Sequence, residues 1–294
     1  MASCNGLNPD SYAIAWIAAL PIERAAAEAM LDEEHADPAG FTRHQTDANV
    51  YTWGRVGEHN IVIASLAAGV YGTTSAMTTA SSLLASLPST RVGDVVVSQP
   101  AGTTGGVCQY DFNKAKPGNE RERKGFLAPP PTVLLNALAK IQAIHERKDS
   151  EVPRLLKSRQ NPGYVHQDFD NDRLFKSSCD HVQRDPRETT DPDIHYGIIA
   201  SGNTLVKDAA ARDRFVADLG EDCICFEMEA AGLMNQFPCL VIRGICDYPD
   251  SHKNDRWQRY AAATAAAYAK ELLTYVPGVE VQETKRALEV LQLG

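Results

Sequence analysis

Residues 12–34 read YAIAWIAALPIERAAAEAMLDEE, and this stretch decides the fold class. The first nine residues are nearly all apolar and stop at Pro21, which is typical of a strand buried on both faces of a parallel sheet. Pro21 suits the first turn of a helix, and the alanine-rich spacing after it predicts a helix as far as Glu34. A buried strand that leads directly into a helix is the repeating unit of an α/β domain.

The same alternation returns along the chain. Apolar runs predict further strands within residues 50–56, 61–66, 95–98, 194–202, 223–227 and 239–246. Helical spacing predicts helices within residues 73–87, 131–148, 210–220, 228–237 and 256–276. The sequence therefore predicts an α/β fold with a mostly parallel central sheet flanked by helices.

Residues 113–193 differ from both flanks because they are rich in charge, proline and asparagine. Apart from the helix that begins near Pro131, their composition is typical of loops. A loop-rich region of this length is usually an insertion, a lid or a mobile region. We therefore predict a single domain over residues 1–294 that carries a loop-rich insertion at about 113–193.

Composition excludes several classes of protein. The 294 residues carry a net charge of −9, which argues against non-specific binding of nucleic acid. No apolar run is long enough to span a membrane, and the N-terminus lacks the pattern of a signal peptide. Seven cysteines without a C-x-x-C pair favour reduced thiols over disulfides or a metal site. These features predict a cytoplasmic protein without a membrane or nucleic-acid partner.

Several acidic and glycine residues follow predicted strands, where ligands bind in α/β folds. They are Glu23, the Gly69–Gly72 loop, Gly202, Glu229 and Asp247. Each acid on its own is also explained as a first-turn or N-cap residue of a helix. Together they favour a carboxylate-based site, because an unpaired carboxylate in an apolar run is costly to bury.

Two motifs carry a family resemblance, FEMEAAG at 226–232 and VIRGICD at 241–247. With these motifs the chain resembles the purine nucleoside phosphorylase/uridine phosphorylase superfamily. Its site is most similar to that of methylthioadenosine/S-adenosylhomocysteine nucleosidases. HYGIIASGN at 195–203 and the stretch at 243–273 add a narrower resemblance to fungal nucleoside-phosphorylase-like proteins. The resemblance covers residues from about 12 to 275.

The resemblance implies cleavage of the N-glycosidic bond of a purine nucleoside. The resemblance assigns Glu229 to the ribose hydroxyls and Met228 to packing on the sugar. It assigns Asp247 to donating a proton to N7 of the leaving purine. A carboxylate can accept two hydrogen bonds from a cis-diol, and a purine leaves poorly unless it is protonated. The same resemblance matches Ser201, Gly202 and Asn203 to the segment that borders the base.

Glu23 separates two reactions. In phosphorylases of this superfamily an arginine that binds phosphate is typical at this place, whereas nucleosidases have a glutamate that activates water. A carboxylate can act as a general base toward water but repels a phosphate dianion, so Glu23 favours hydrolysis. Phosphorolysis remains the alternative, with Gly69, Gly72 and Thr73 as a nucleophile or phosphate loop, although this stretch is equally a tight strand-to-helix connection.

The resemblance also implies a homo-oligomer that needs no metal or organic cofactor, with phosphate as a co-substrate only in a phosphorylase. Some relatives form part of receptor architectures, so a non-catalytic nucleoside-sensing module is a third reading.

One departure from the family pattern lies between Pro88 and Gly93. The relatives have a strand and a glycine-rich turn there, whereas here the helix runs almost directly into residues 90–95. The sequence therefore predicts that one central strand is missing, which reflects either a truncated splice form or gene sequence or a degenerate, inactive homologue. A buried parallel strand cannot be lost without leaving ladder groups unpaired, so poor stability and weak activity are expected if the loss is real.

Overall fold

The computed structural model describes residues 7–86, 91–93, 97–115, 121–123, 125–158, 161–167, 173–183, 185, 189–219, 223–237, 239–252 and 255–278. The strands are β1 (Ile14–Ala18), β2 (Glu33–His35), β3 (Thr52–Val56), β4 (His59–Ser65), β5 (Arg91–Gly93), β6 (Val107–Gln109), β7 (Asn113–Ala115), β8 (Arg121–Arg123), β9 (Ile198–Ser201) and β10 (Cys223–Glu227). The helices are α1 (Pro21–Glu28), α2 (Thr73–Ser86), α3 (Thr132–His145), α4 (Val152–Lys157), α5 (Ala209–Leu219) and α6 (Gln258–Leu273).

Two sheets carry most of the strands. The larger has the order β2-β3-β4-β1-β5, and β1 pairs in parallel with both of its neighbours, β4 and β5. β3 and β2 extend this sheet in antiparallel fashion, with Gly57 at a positive φ in the turn between β3 and β4. The smaller sheet, β10-β9-β6, is parallel throughout. The predicted α/β class with parallel strands and flanking helices is confirmed.

The last helix packs closely because its buried face is built of alanine. α6 contacts α1, and six of its alanines are buried, namely Ala261, Ala262, Ala263, Ala266, Ala267 and Ala269. Lys270 at its end donates 2.7 Å to the carbonyl oxygen of Met30 and also binds Asp32. The first and last helices of the domain are therefore joined directly.

Three predicted elements take a different form. Residues Glu33–His35 leave the predicted first helix and pair with β3 as an edge strand. The predicted helix after β10 is only a three-residue 3₁₀ turn, Ala230–Gly232, followed by turns. Residues 239–246 are not a strand: one backbone bond joins Ser98 N–H to the Val241 carbonyl (2.7 Å), and no ladder extends from it.

β5, the strand that pairs with β1 on the side away from β4, has only three residues. β5 pairs only with Ile14–Trp16, so the expectation that the 88–93 segment contributes no strand is corrected to a strand of three residues. Within the described residues, no strand pairs with Ile17 and Ala18 on that side. The predicted strand at 95–98 falls partly outside the described residues, and Ser98 forms one parallel bridge to Gly197.

The middle of the chain contains more regular structure than its composition predicts. β7 and β8 form an antiparallel hairpin, and α3 and α4 pack on α6. A polar cluster fixes this contact: Glu271 of α6 is 2% exposed, and its two carboxylate oxygens bind His145 Nε2 (3.0 Å) and Ser150 Oγ (2.7 Å). The residues of the predicted insertion therefore share the core of the domain.

Replacing Ser150 by alanine tests this cluster. The change leaves Oε2 of Glu271 buried without its hydroxyl donor, which is expected to lower the free energy of unfolding by about 1–2 kcal/mol. Chemical denaturation measures the loss. Ser178→Ala is the matched control, because the Ser178 hydroxyl binds Asp180 in an exposed place. Equal stability of the two variants would contradict the role of Ser150.

Two further searches cover only the described residues. None of the helices there has the length and apolar character needed to cross a bilayer. None of the six described cysteines is joined to another in a disulfide, and no cluster of histidine, cysteine and acidic side chains there could hold a metal ion.

Candidate active site

A pocket of about 330 Å³ opens where β1 and β10 end, at the edge that α/β folds use for ligands. Its size falls at the lower end of the range of small-molecule sites. Strand ends, the 241–249 segment and the alanine face of α6 form its walls. The sequence-predicted residues that line it are Glu23, Met228, Glu229 and Asp247. The structure therefore brings both predicted catalytic residues and both predicted ribose-binding residues into one pocket.

Glu23 is fixed by the turn in which it lies. Its side chain folds back over the start of α1, where Oε2 accepts hydrogen bonds from the backbone N–H groups of Ala19 (2.9 Å) and Leu20 (3.0 Å). Oε1 accepts no hydrogen bond from the described part of the chain. One oxygen thus holds the carboxylate in place, and the other remains available on a half-buried residue of the pocket wall.

Glu229 is 9% exposed and is bound from three sides. Oε1 accepts from the backbone of Gly72 (3.2 Å), while Oε2 accepts from its neighbour Met228 N–H (3.3 Å) and from Nη1 of Arg243 (3.3 Å). Arg243 is the only cation among the described residues that line the pocket. The carboxylate is therefore oriented before any ligand binds.

Sequence analysis missed Arg243 and gave no role to Glu227. Burial works to lower the pKa of Arg243, but the charges of Glu229, Glu23 and Glu227 raise it above its ordinary value. One guanidinium therefore lies within the field of three carboxyl groups. Arg243 sits in the apolar run VIRGICD, and a charge within such a run signals a buried partner.

The start of α2 is occupied by the protein's own oxygens. Gly72 N–H binds Glu229, and the N–H and hydroxyl of Thr73 both donate to Oδ1 of Asn203 at 3.0 Å. A Cβ added at Gly72, whose φ is +100°, would lie 2.9 Å from that same Oδ1. This close approach and the positive φ explain the glycine, and the 69–73 stretch forms a tight connection.

None of the three predicted base-binding residues, Ser201, Gly202 and Asn203, lines the pocket. Ser201 is fully buried, and its hydroxyl accepts from Ala231 N–H (2.8 Å), so it does not line the pocket. Gly202 packs against Asp111, whose Oδ2 accepts from Asn203 N–H (2.7 Å). The next residues along the chain, 204–206, do reach the pocket wall.

The sequence matches the model of the Phosphorylase superfamily over residues 13–276. The chain belongs to the phosphorylase superfamily. This superfamily domain is 40% identical to a nucleotide-binding leucine-rich repeat (NLR)-like protein of Hyaloscypha variabilis, in an alignment of 307 positions that covers 92% of this chain and 30% of that protein. Because 307 exceeds the 294 residues here, that protein carries residues without a counterpart in this chain.

A second relative of this phosphorylase-superfamily domain is the ATP nucleosidase Cap17 of Escherichia coli. It is 35% identical over 87 residues, which are 28% of this chain and 17% of that protein. The chain therefore spans less than a third of the length of these two curated relatives.

Solved structures show the same fold. The S-adenosylhomocysteine nucleosidase of Streptococcus pyogenes matches with a TM-score of 0.56 at 15% identity, covering 90% of this chain and 97% of that one. Futalosine hydrolase of Helicobacter pylori matches with a TM-score of 0.53 at 16% identity, covering 89% and 97%. The predicted superfamily and its nucleosidase-like fold are confirmed.

Proposed function

We propose that this domain hydrolyses the N-glycosidic bond of a purine nucleoside to give free base and ribose. The observation that carries the proposal is Glu23, which has one oxygen anchored by two backbone amides and the other without a hydrogen bond from any described residue of the pocket wall. A base held in this way is already oriented toward a proton it could accept. The nucleosidase-like fold supports the same chemistry.

The reaction follows from the pocket residues. Glu229 and Met228 hold the ribose, and Glu23 takes a proton from water as the water oxygen bonds to C1′. The bond from C1′ to the purine nitrogen breaks, and Asp247 gives its proton to N7 of the departing base. Charge builds on the sugar as an oxocarbenium-like ion, which the surrounding carboxylates stabilise. The two acids regain their starting states by exchanging protons with solvent.

Three arginines outside the pocket, Arg24, Arg43 and Arg55, have contacts of their own. Arg24, next to Glu23, donates to Glu28 (2.8 Å), Thr52 (2.8 Å) and the Val50 carbonyl (2.9 Å). Arg55 binds Gly57 and Glu33, and Arg43 lies 5.8 Å above the ring of Tyr51. The side chain of Arg91 lies outside the described residues.

The loop considered for phosphate offers little to an anion. Its Gly72 and Thr73 N–H groups already bind Glu229 and Asn203, so they are not available as free donors. The carboxylate of Glu229 beside them would repel a phosphate dianion. Both facts support water over phosphate as the nucleophile.

A non-catalytic sensing role is a second proposal, favoured by one observation. The NLR-like relative aligns with this chain over only 30% of its length, so in that protein the matching region is one part of a larger whole. A sensor would use the same pocket to bind a nucleoside without cleaving it. Homo-oligomerisation and a cytoplasmic location also remain proposals.

Base release from adenosine, inosine and guanosine, with and without phosphate, tests the proposal. We expect equal release in phosphate-free buffer and in phosphate, with ribose as the sugar product, because no phosphate takes part in the step. Chromatography of base and sugar measures both. Ribose 1-phosphate formed only in phosphate would establish a phosphorylase. Nucleoside binding by folded protein without release would favour the sensor.

A further inference from the structure

Glu227, the last residue of β10, holds the turn that presents Glu229. It is 3% exposed, and Oε2 of its side chain accepts from the backbone N–H groups of Glu229 and Ala230, each at 2.9 Å. These two bonds fix the chain where it leaves the strand and enters the 3₁₀ turn. The position of the ribose-binding carboxylate therefore depends on a second carboxyl group two residues earlier.

Among the described residues, no hydrogen-bond partner lies within reach of the other oxygen of Glu227, Oε1. Oε1 is the only buried side-chain nitrogen or oxygen without a hydrogen bond that is found in the described residues. An ionised carboxylate spreads its charge over both oxygens, so a bare, buried Oε1 would leave half of that charge uncompensated. A protonated carboxyl has a much smaller requirement, because only a neutral hydroxyl is then buried.

The surroundings oppose a charge on Glu227. Burial first, and then the charge of Glu229, raise the pKa of Glu227, while Arg243 and the nearby Ser201 hydroxyl act in the opposite direction. Other titratable neighbours are Cys225 on the same strand and Tyr110 beyond β6. Arg243 is the only cation named among these neighbours, and it already pairs with Glu229.

We propose that Glu227 is a positioning residue that carries a proton on Oε1 and uses Oε2 to hold the Met228–Glu229 turn. The proton belongs on Oε1, because Oε2 already accepts two N–H bonds. A neutral Glu227 does not compete with Glu229 for Arg243 and does not repel the carboxylate that it positions. The consequence for ribose binding rests on the proposed nucleosidase function, whereas the protonation state does not.

Infrared difference spectroscopy of the full 294-residue chain tests the proton directly. The wild-type spectrum minus that of Glu227→Gln, at neutral pH, is expected to contain the carbonyl stretch of a protonated carboxyl, shifted in heavy water. A difference spectrum with only carboxylate bands would overturn the proposal. This measurement needs no substrate, so it decides the point even if no nucleoside is cleaved.

Two variants then test the positioning. A glutamine is neutral and keeps an oxygen for both amides, so Glu227→Gln should fold and keep the wild-type KM for nucleoside. Glu227→Ala removes that acceptor and should raise KM by about tenfold, equivalent to ~1.4 kcal/mol, with a smaller change in kcat. A glutamine variant that fails to fold, or that matches alanine, would overturn the proposal. If wild type releases no base, the proposed function fails while the infrared result still stands.

Discussion

Glu23→Gln is expected to lower the rate of base release by about 10²–10⁴-fold, the usual contribution of a general base. The amide keeps an oxygen that can accept from Ala19 and Leu20, so the turn at the start of α1 should survive. An amide nitrogen in the place of Oε1 cannot take a proton from water. The loss should therefore fall on kcat, while nucleoside binding and thermal stability stay close to wild type.

Glu28→Gln is the matched control for this experiment. Glu28 lies on the same helix and is bound by Arg24 and Thr52, outside the pocket. Its substitution should leave turnover unchanged. If Glu23→Gln released base as fast as the Glu28 variant, water activation by Glu23 would be wrong.

Gly244→Ala is expected to be the most destabilising small substitution at the site. An added Cβ would lie 1.9 Å from the carbonyl oxygen of Ala261 and 2.3 Å from its carbonyl carbon, which are backbone atoms of α6. Neither backbone can move away by a side-chain rotation, so the 241–249 segment and the helix must separate. We expect a loss of about 3 kcal/mol or more, and each kcal/mol lowers Tm by about 2–4 °C in a domain of this size.

The same substitution should impair turnover, because Gly244 lies between Arg243 and Asp247 on one segment. Gly163→Ala supplies the control, since its added Cβ would meet only side-chain atoms at 3.4–3.5 Å. Thermal melting followed by base release measures both effects. A Gly244 variant that melts with wild type would show that the close contact with α6 is not maintained in solution.

The elements that sequence analysis located correctly carry strong local signals. β1 is an apolar run stopped by a proline, and α6 has helical spacing over its whole length. The run at 239–246 carries an equally strong apolar signal but forms no strand. Residues 239–242 are buried in the core without pairing in a sheet, and apolar composition alone does not distinguish such packing from a strand.

The residues of the candidate site likewise divide into those that the sequence indicated and those that it did not. Glu23 and Glu229 were predicted because they follow strand-like runs and because the resemblance marked them. Asp247 was predicted in the same way, although the run before it is not a strand. The partnership of Arg243 with Glu229, and that of Thr73 with Asn203, joins residues 14 and 130 positions apart. Spacing along the chain gives no measure of such contacts. The lack of a hydrogen bond to Oε1 of Glu227 from any described residue likewise becomes visible only when its neighbours have been placed.

The bond between Lys270 and Met30 has a consequence for how the domain forms. It closes a loop of 240 residues, and His59 is similarly joined to the carbonyl of Val276, 217 residues away. Contacts so distant in sequence slow folding, because the chain loses its freedom before the contact forms. During synthesis on a ribosome, α1 would emerge long before its partner and stay uncovered until α6 had left the exit tunnel.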